Sequence, residues 1–195
     1  MENNLFCRIF AMETNFKIMK HIVGFAGSNS KTSINKQLVK YTLEQMEDVT
    51  AELLDLNDFT VPLFGVDLEK EQGYPDKAKL FLEKMQSADG LVISLAEHNA
   101  AYTAAFKNLF DWMSRIDRNV FNEKHMLLMA TSPGGRGGAS VLGMASERFP
   151  RHGANIVAKF SLPSFNDNFS EGSIVNKDLD EQLKVEVAKL KEALK

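Results

Sequence analysis

Between Ser28 and Ser33 the chain crowds Ser28, Ser30, Thr32 and Ser33 into one short stretch. The apolar run Ile22–Gly27 stops just before it, and amphipathic helical spacing begins just after it, at Ile34. That order describes a buried strand running into a hydroxyl-rich turn that opens a helix. A helix N-terminus leaves main-chain N–H groups without intrahelical partners, and its dipole favours an anion there. Hydroxyls at Ser28, Ser30, Thr32 and Ser33 add donors without adding charge, so the turn suits a phosphate. The same residues also suit plain helix capping, and the stretch by itself leaves both readings open. Two familiar phosphate loops fail here. A dinucleotide fingerprint needs three spaced glycines, and only Gly24 and Gly27 are present. A triphosphate-binding loop ends as Lys31-Thr32 does, but Phe25 and Ser30 hold its glycine positions. A mononucleotide phosphate, held by hydroxyls and main chain, fits better.

Two further loops have compositions unlike those of mere connectors. Ser132-Pro133-Gly134-Gly135-Arg136-Gly137-Gly138-Ala139 sets four glycines around one arginine. Glycine lets backbone approach a flat ligand closely and turn N–H groups inward. Arg136 is a candidate for a carbonyl, phosphate or carboxylate oxygen, against the alternative of a solvated turn. Glu97-His98-Asn99-Ala100-Ala101-Tyr102 offers a flat imidazole and an amide that both donates and accepts. Its histidine equally fits a solvated or locally capping role. Lys107, Asn108, Asp111 and Trp112 follow on a helical pattern, where Trp112 suits either the core or a subunit face.

The elements that must position these loops alternate along the chain. Strands are expected at His21–Ala26, Ala51–Leu56, Gly90–Ala96, His125–Thr131 and Asn155–Phe160. Helices are expected at Ile34–Glu47, Pro75–Ala88, Thr103–Arg115, Ala139–Phe149 and Asp178–Leu194. Strands separated by helices imply an α/β fold, a five-stranded parallel sheet covered on both faces in three α/β/α layers. The doubly wound flavodoxin-like order 2-1-3-4-5 is predicted. It lays strands 1, 3 and 4 side by side, so the three loops meet where ligands bind in open α/β sheets. Asp58–Tyr74 and Ser161–Asn176 lack regular pattern and read as loops, the first crossing the top of the sheet and the second packing near the site or against a neighbour.

Composition narrows the class. At 195 residues, 44% hydrophobic and 25% charged, the chain suits one domain with a sizeable core. A net charge of −3 argues against a nucleic-acid partner. The single cysteine, Cys7, forms no internal disulfide, and no Cys/His spacing suggests a metal. No apolar run reaches the roughly 18 residues of a membrane span. Residues 1–19 carry Leu5, Phe6, Ile9, Phe10 and Ala11, broken by Glu2, Arg8 and Glu13. This is a poor signal peptide. It reads as a flexible extension before a domain spanning residues 20–195, with a docked arm as the alternative, and places the chain in the cytoplasm.

Together the three loops resemble the NAD(P)H-dependent FMN reductases, a flavodoxin-like family that includes chromate, quinone and azo-dye reductases. The likeness runs from about Lys20 to Phe160. The family's first loop reads G-S-x-R-x-x-S-x-N, which Gly27-Ser28 and Ser33-Ile34-Asn35 match at its two ends. Its second reads P-E-Y-N-x-S-x-P-x-x-L-K-N-x-x-D-W, and Glu97, Asn99, Lys107, Asn108, Asp111 and Trp112 fall in register. Its third, S-x-G-x-x-G-G-A, resembles Ser132–Ala139. Ser30 replaces an arginine, His98 a tyrosine, Ala96 and Thr103 two prolines, and Ala101 a serine.

The resemblance implies FMN as cofactor and NAD(P)H as co-substrate. Hydride passes to the flavin, and the reduced flavin then reduces a small-molecule acceptor: a quinone, azo compound, metal oxyanion or free flavin. Ser28, Ser30, Ser33, Ile34 and Asn35 would hold the phosphate. Glu97, His98 and Asn99 would flank the ring, with Ser132, Pro133, Gly134, Gly135, Arg136 and Gly137 along its other edge. No side chain is nominated as a general acid. A homodimer or homotetramer is implied, with the helix bearing Asp111 and Trp112 near the interface. Two rival readings are an electron carrier, which a mild −3 charge does not favour, and a non-catalytic sensor that has lost the flavin.

Overall fold

The computed structural model describes residues 19–195. The expected extension therefore lies outside the described residues except for Met19. In chain order the elements are β1 (Lys20–Gly27), α1 (Ile34–Glu44), β2 (Val49–Leu54), α2 (Val66–Gln72), α3 (Asp76–Ser87) and β3 (Gly90–Leu95). A short pair, β4 (Glu97–His98) and β5 (Ala101–Tyr102), precedes α4 (Ala104–Ile116), β6 (His125–Thr131), α5 (Ala139–Arg148) and β7 (Asn155–Leu162). The chain ends with α6 (Phe165–Asn168), β8 (Phe169–Ser170), β9 (Ser173–Ile174) and α7 (Lys177–Ala193).

The main sheet has the order β2-β1-β3-β6-β7, with every neighbouring pair parallel. This is the expected flavodoxin-like 2-1-3-4-5 order, with the two-residue strands β4 and β5 falling between its third and fourth members. Side chains alternate across the sheet as strand geometry requires. Along β3, Leu91 and Ile93 face one core and Val92 the other. Along β6, Met126, Leu128 and Ala130 face the first core, and Leu127 and Met129 the second. The first core packs α3, α4 and α5 through Phe81, Phe106 and Val141. The second packs α1 and α7 through Leu38, Leu183 and Val187. Burial on both faces explains why the strands read as apolar runs rather than as alternating patterns. Gly24 lets α1 lie close on β1, because a Cβ there would come within 2.8 Å of both Val39 and Leu43 side chains.

Both expected loops contain structure. Asp58–Tyr74 holds α2, which buries none of its residues and so shows no apolar face for periodicity to detect. The strap before it is pinned from α4: the Trp112 indole donates to the Pro62 carbonyl at 2.8 Å, and the Phe64 N–H donates to Asn108 Oδ1 at 2.8 Å. Trp112 is thus a buried core residue. In Ser161–Asn176, β7 extends to Leu162 and is followed by α6 and the β8–β9 hairpin, which bury Phe165, Phe169 and Ile174.

Candidate functional site

Loops one, two and three converge at the carboxyl ends of β1, β3 and β6, around a cavity of about 270 Å³. From the first loop it is lined by Ser28, Ser30, Thr32, Ser33, Ile34 and Asn35. Ala96, Glu97 and His98 line it from the second, and Thr131, Ser132 and Pro133 from the third. Nine of the nominated residues therefore share one space. Asn99, Gly134, Gly135, Arg136 and Gly137 belong to the same loops but do not line it. Thr32, read from the sequence as one of the turn's hydroxyl donors, lines it too, and Ala96 and Thr131 line it without having been nominated.

The first loop is braced by its own hydroxyls. Ser33 caps α1, its side chain accepting from the Lys36 N–H at 3.2 Å. Ser28 Oγ accepts from the Ser30 N–H at 3.2 Å. The Ser33 N–H donates to the Ser30 carbonyl at 3.2 Å, closing the turn. Among the described residues, the amides of Ile34 and Asn35 at the start of α1 have no partner. These are the orphan donors that an anion would meet. Lys36 pairs with Asp55. Burial pushes the Asp55 carboxyl up, but the bonds from Lys36 and Asn57 outweigh it and hold the group below its usual value. The Asn35 side chain is buried and bonded to Ser94 and Thr131.

The second loop is a hairpin. Glu97 pairs with Tyr102 and His98 with Ala101, around Asn99 at φ 51° and Ala100 at φ 61°. Two successive positive φ values define the turn that matches strand twist in two-residue hairpins. Asparagine tolerates that conformation better than alanine does. The Glu97 carboxylate accepts from the Val141 N–H at 2.9 Å, in the first turn of α5. Its charge therefore meets a helix N-terminus, a favourable place for it, and locks the hairpin to α5. Thr103 ties the hairpin's far end to β1. Its hydroxyl donates to the Gly27 carbonyl at 2.9 Å and accepts from the Phe106 N–H, capping α4. His98 is exposed.

The third loop is held from behind by the segment after β7. The Phe165 N–H donates to the Ser132 carbonyl and the Ser164 N–H to the Gly134 carbonyl, both at 3.0 Å. Ser161 Oγ donates to the Gly137 carbonyl at 2.9 Å. The segment thus packs behind the site, as its composition suggested. Gly137 has φ 58°, and a Cβ there would lie 2.3 Å from Ser161 Oγ and 3.0 Å from the Pro163 nitrogen. Arg136, in the turn before α5, donates to Ser140 Oγ at 3.0 Å, in the first turn of that helix. Its neighbour Gly134 faces open space.

This donor set fits FMN. Two partnerless amides and several hydroxyls would meet a dianionic phosphate, and Glu97, His98, Ser132 and Pro133, which line the rest of the cavity, would border a flat ring. Among the described residues the only carboxylate lining the cavity, that of Glu97, is already engaged by α5. Among the described residues no cluster of three His, Cys, Asp or Glu side chains has metal-binding geometry. None of the described helices is long and apolar enough to cross a membrane.

Comparison with known proteins agrees with this geometry. The sequence is 33% identical over 147 residues to an uncharacterized MG342 homologue of Mycoplasma pneumoniae, covering 73% of this chain and 86% of that protein. It is 31% identical over 119 residues to a quinone reductase of Escherichia coli K12, covering 60% of this chain and 63% of that enzyme. The fold is similar to that of FerB, a flavoenzyme NAD(P)H:(acceptor) oxidoreductase of Paracoccus denitrificans. The TM-score is 0.72 at 22% identity, over 90% of this chain and 97% of that one. The family of NADPH-dependent FMN reductases matches residues 20–167, which span all three loops, and the chain belongs to that family.

Proposed function

We propose that this chain binds FMN across the cavity at the strand ends and uses NAD(P)H to reduce a small-molecule acceptor. A quinone or an azo compound is the class that the relatives' names favour; metal oxyanions and free flavin complete the range. The observation that carries the reading is the pair of partnerless amides at Ile34 and Asn35, facing the same cavity as the hydroxyls of the first loop. Bound FMN supplies hydride acceptance from the nicotinamide and electron delivery to the acceptor.

The chain's own residues bind and orient. Ser28, Ser30, Ser33 and the amides of Ile34 and Asn35 hold the phosphate without a cationic side chain. Glu97, His98 and Asn99 border the ring on the hairpin side. Ser132, Pro133, Gly134, Gly135, Arg136 and Gly137 border it opposite, with main-chain donors that stabilise negative charge on the ring. Self-association as a homodimer or homotetramer is supported by the face between α4 and α5. That face carries both signs of charge on Lys107, Asp111, Glu147 and Arg148, beside a Met144 that is 40% exposed. A cytoplasmic setting is supported by the lone cysteine, which asks for no oxidising compartment.

The test is a titration of the purified protein with FMN, followed by NADPH or NADH without oxygen. Saturable binding followed by bleaching of the visible flavin band is expected. Binding that neither nicotinamide bleaches would replace the reductase with a carrier. Absence of FMN binding would remove the enzyme reading altogether.

A further inference from the structure

Asn35 stands at the start of α1 beside the phosphate turn, yet its side chain runs into the protein and is 1% exposed. Its Nδ2 donates to the Thr131 carbonyl and its Oδ1 accepts from the Thr131 N–H, both at 3.1 Å. The same Oδ1 accepts from the Ser94 hydroxyl at 2.6 Å. The reciprocal pair with Thr131 mimics the two-bond ring that facing strands form. In effect a side chain continues the sheet on the side where β6 has run past β3, whose last pair is Leu95 with Ala130. Ser94 lies on β3 and Thr131 ends β6, so one amide joins the first turn of α1 to two adjacent strands. Thr131 carries the tie further, its hydroxyl donating to the Leu162 carbonyl at 2.7 Å at the end of β7.

Thr131 immediately precedes Ser132, where the glycine-rich loop departs. The separation between the α1 amides and that loop is therefore set by the Asn35 amide and its three bonds. We propose that the Asn35 side chain is a positioning residue. It fixes the span between the loop that holds the phosphate and the loop that borders the ring, and it leaves the phosphate to its own main-chain N–H and the neighbouring hydroxyls. This inference rests on the FMN reading above. Its consequence is specific: removing the side chain loosens both ends of the ligand, whereas a side chain that touched phosphate would matter at one end only.

The experiment compares dissociation constants of wild type, Asn35→Ala and Asn35→Asp for FMN and for riboflavin, which lacks the phosphate. Urea midpoints and the visible circular dichroism of the bound flavin are recorded alongside. Asn35→Ala is expected to weaken both ligands by the same factor, about tenfold or more, because buried partners are left unmatched. It is also expected to alter the flavin dichroism. Asn35→Asp keeps acceptors for the Thr131 N–H and the Ser94 hydroxyl and restores part of the loss. Selective weakening of FMN would show direct phosphate contact and overturn the inference. Unchanged affinities with a lower urea midpoint would show a merely structural bond network and also overturn it. If Asn35→Ala does not fold, Ser94→Ala removes one arm of the network, and a parallel loss of about threefold is expected; unchanged affinities there overturn the inference. If the wild type binds neither flavin, the FMN reading falls and takes the inference with it, an outcome distinct from all the others.

Discussion

The cavity at the strand ends and a second one of about 370 Å³ between α4 and α5 share the β4–β5 hairpin as a wall. Glu97 of the first pairs across the hairpin with Tyr102 of the second. The first is built from main-chain amides and short hydroxyls whose directions the fold has fixed. The second is larger and carries more charge, but its charges sit on long side chains. Lys107 is tied to Asp111 by an exposed pair on one helix face, and Arg148 and Arg151 stand beside Glu147. Two buried polar atoms there, Tyr102 Oη and His152 Nε2, have no partner among the described residues. Burial pushes the Tyr102 hydroxyl up to about 12, against the lowering effect of Arg148. Burial also pushes His152 below its ordinary value, more strongly than its bond to the Arg118 carbonyl raises it. If the first cavity is the ligand site, as proposed, volume and charge do not mark it. Oriented neutral dipoles receive a dianion with little reorganisation, whereas side chains of mixed sign suit contact with a matching surface.

The largest break in that contrast is expected from Gly137→Val. The substitution forces a branched side chain into a positive φ and onto Ser161. It should cost about 3 kcal/mol and abolish FMN binding, read from urea unfolding and flavin titration. An unchanged midpoint would mean the loop is not anchored from behind. Ser30→Arg sharpens the contrast by adding the cation that the first cavity lacks. FMN affinity should rise about tenfold at low salt, an advantage that fades as salt is added, while riboflavin affinity stays put. Calorimetry at two ionic strengths checks it.

The second cavity gives the smaller effects. Because folding depresses the His152 pKa, the unfolded chain takes up the proton first as pH falls below about 6.5. Stability should therefore decline from there down to the depressed value, by at most about 1.4 kcal/mol per pH unit. Urea midpoints of wild type and His152→Gln across that range should diverge, the variant's curve being flatter. Tyr102→Phe removes a hydroxyl that bonds nothing, and near neutral pH it should shift stability by no more than about 0.5 kcal/mol. In alkali the sign is clearer. The folded hydroxyl ionises near 12 and the unfolded one near 10, so the wild type loses stability above about pH 10, and the phenylalanine variant lacks that loss.

Much of this was legible in the chain. The three central strands β1, β3 and β6 announced themselves as apolar runs because both their faces are buried, whereas the edge strands β2 and β7 are only partly buried. The three loops followed from the strand order, and nine nominated residues line one cavity. What was hidden has a common cause, which is that it depends on distant partners. Helix α2 buries nothing and so has no apolar stripe. The place of Trp112 was undecided until Pro62, 50 residues earlier, supplied its acceptor. The side chain of Asn35 looked like part of the phosphate turn, but its partners lie 59 and 96 residues away. Spacing along a helix carries no trace of such bonds. Thr103, noticed only as a substitution, proved to cap α4 and to bind the end of β1.

Only two residues separate Gly134 from Gly137, yet the two glycines stand at opposite ends of tolerance. At Gly137 no side chain fits, whereas one added at Gly134 meets nothing within 4 Å. Substitution at Gly134 is therefore screened by what approaches the loop from outside rather than by folding. On the proposed reading, a lineage carrying this scaffold could explore new acceptors at Gly134 while Gly137 keeps the loop's course intact. One loop thus holds a tightly constrained position and an open one side by side.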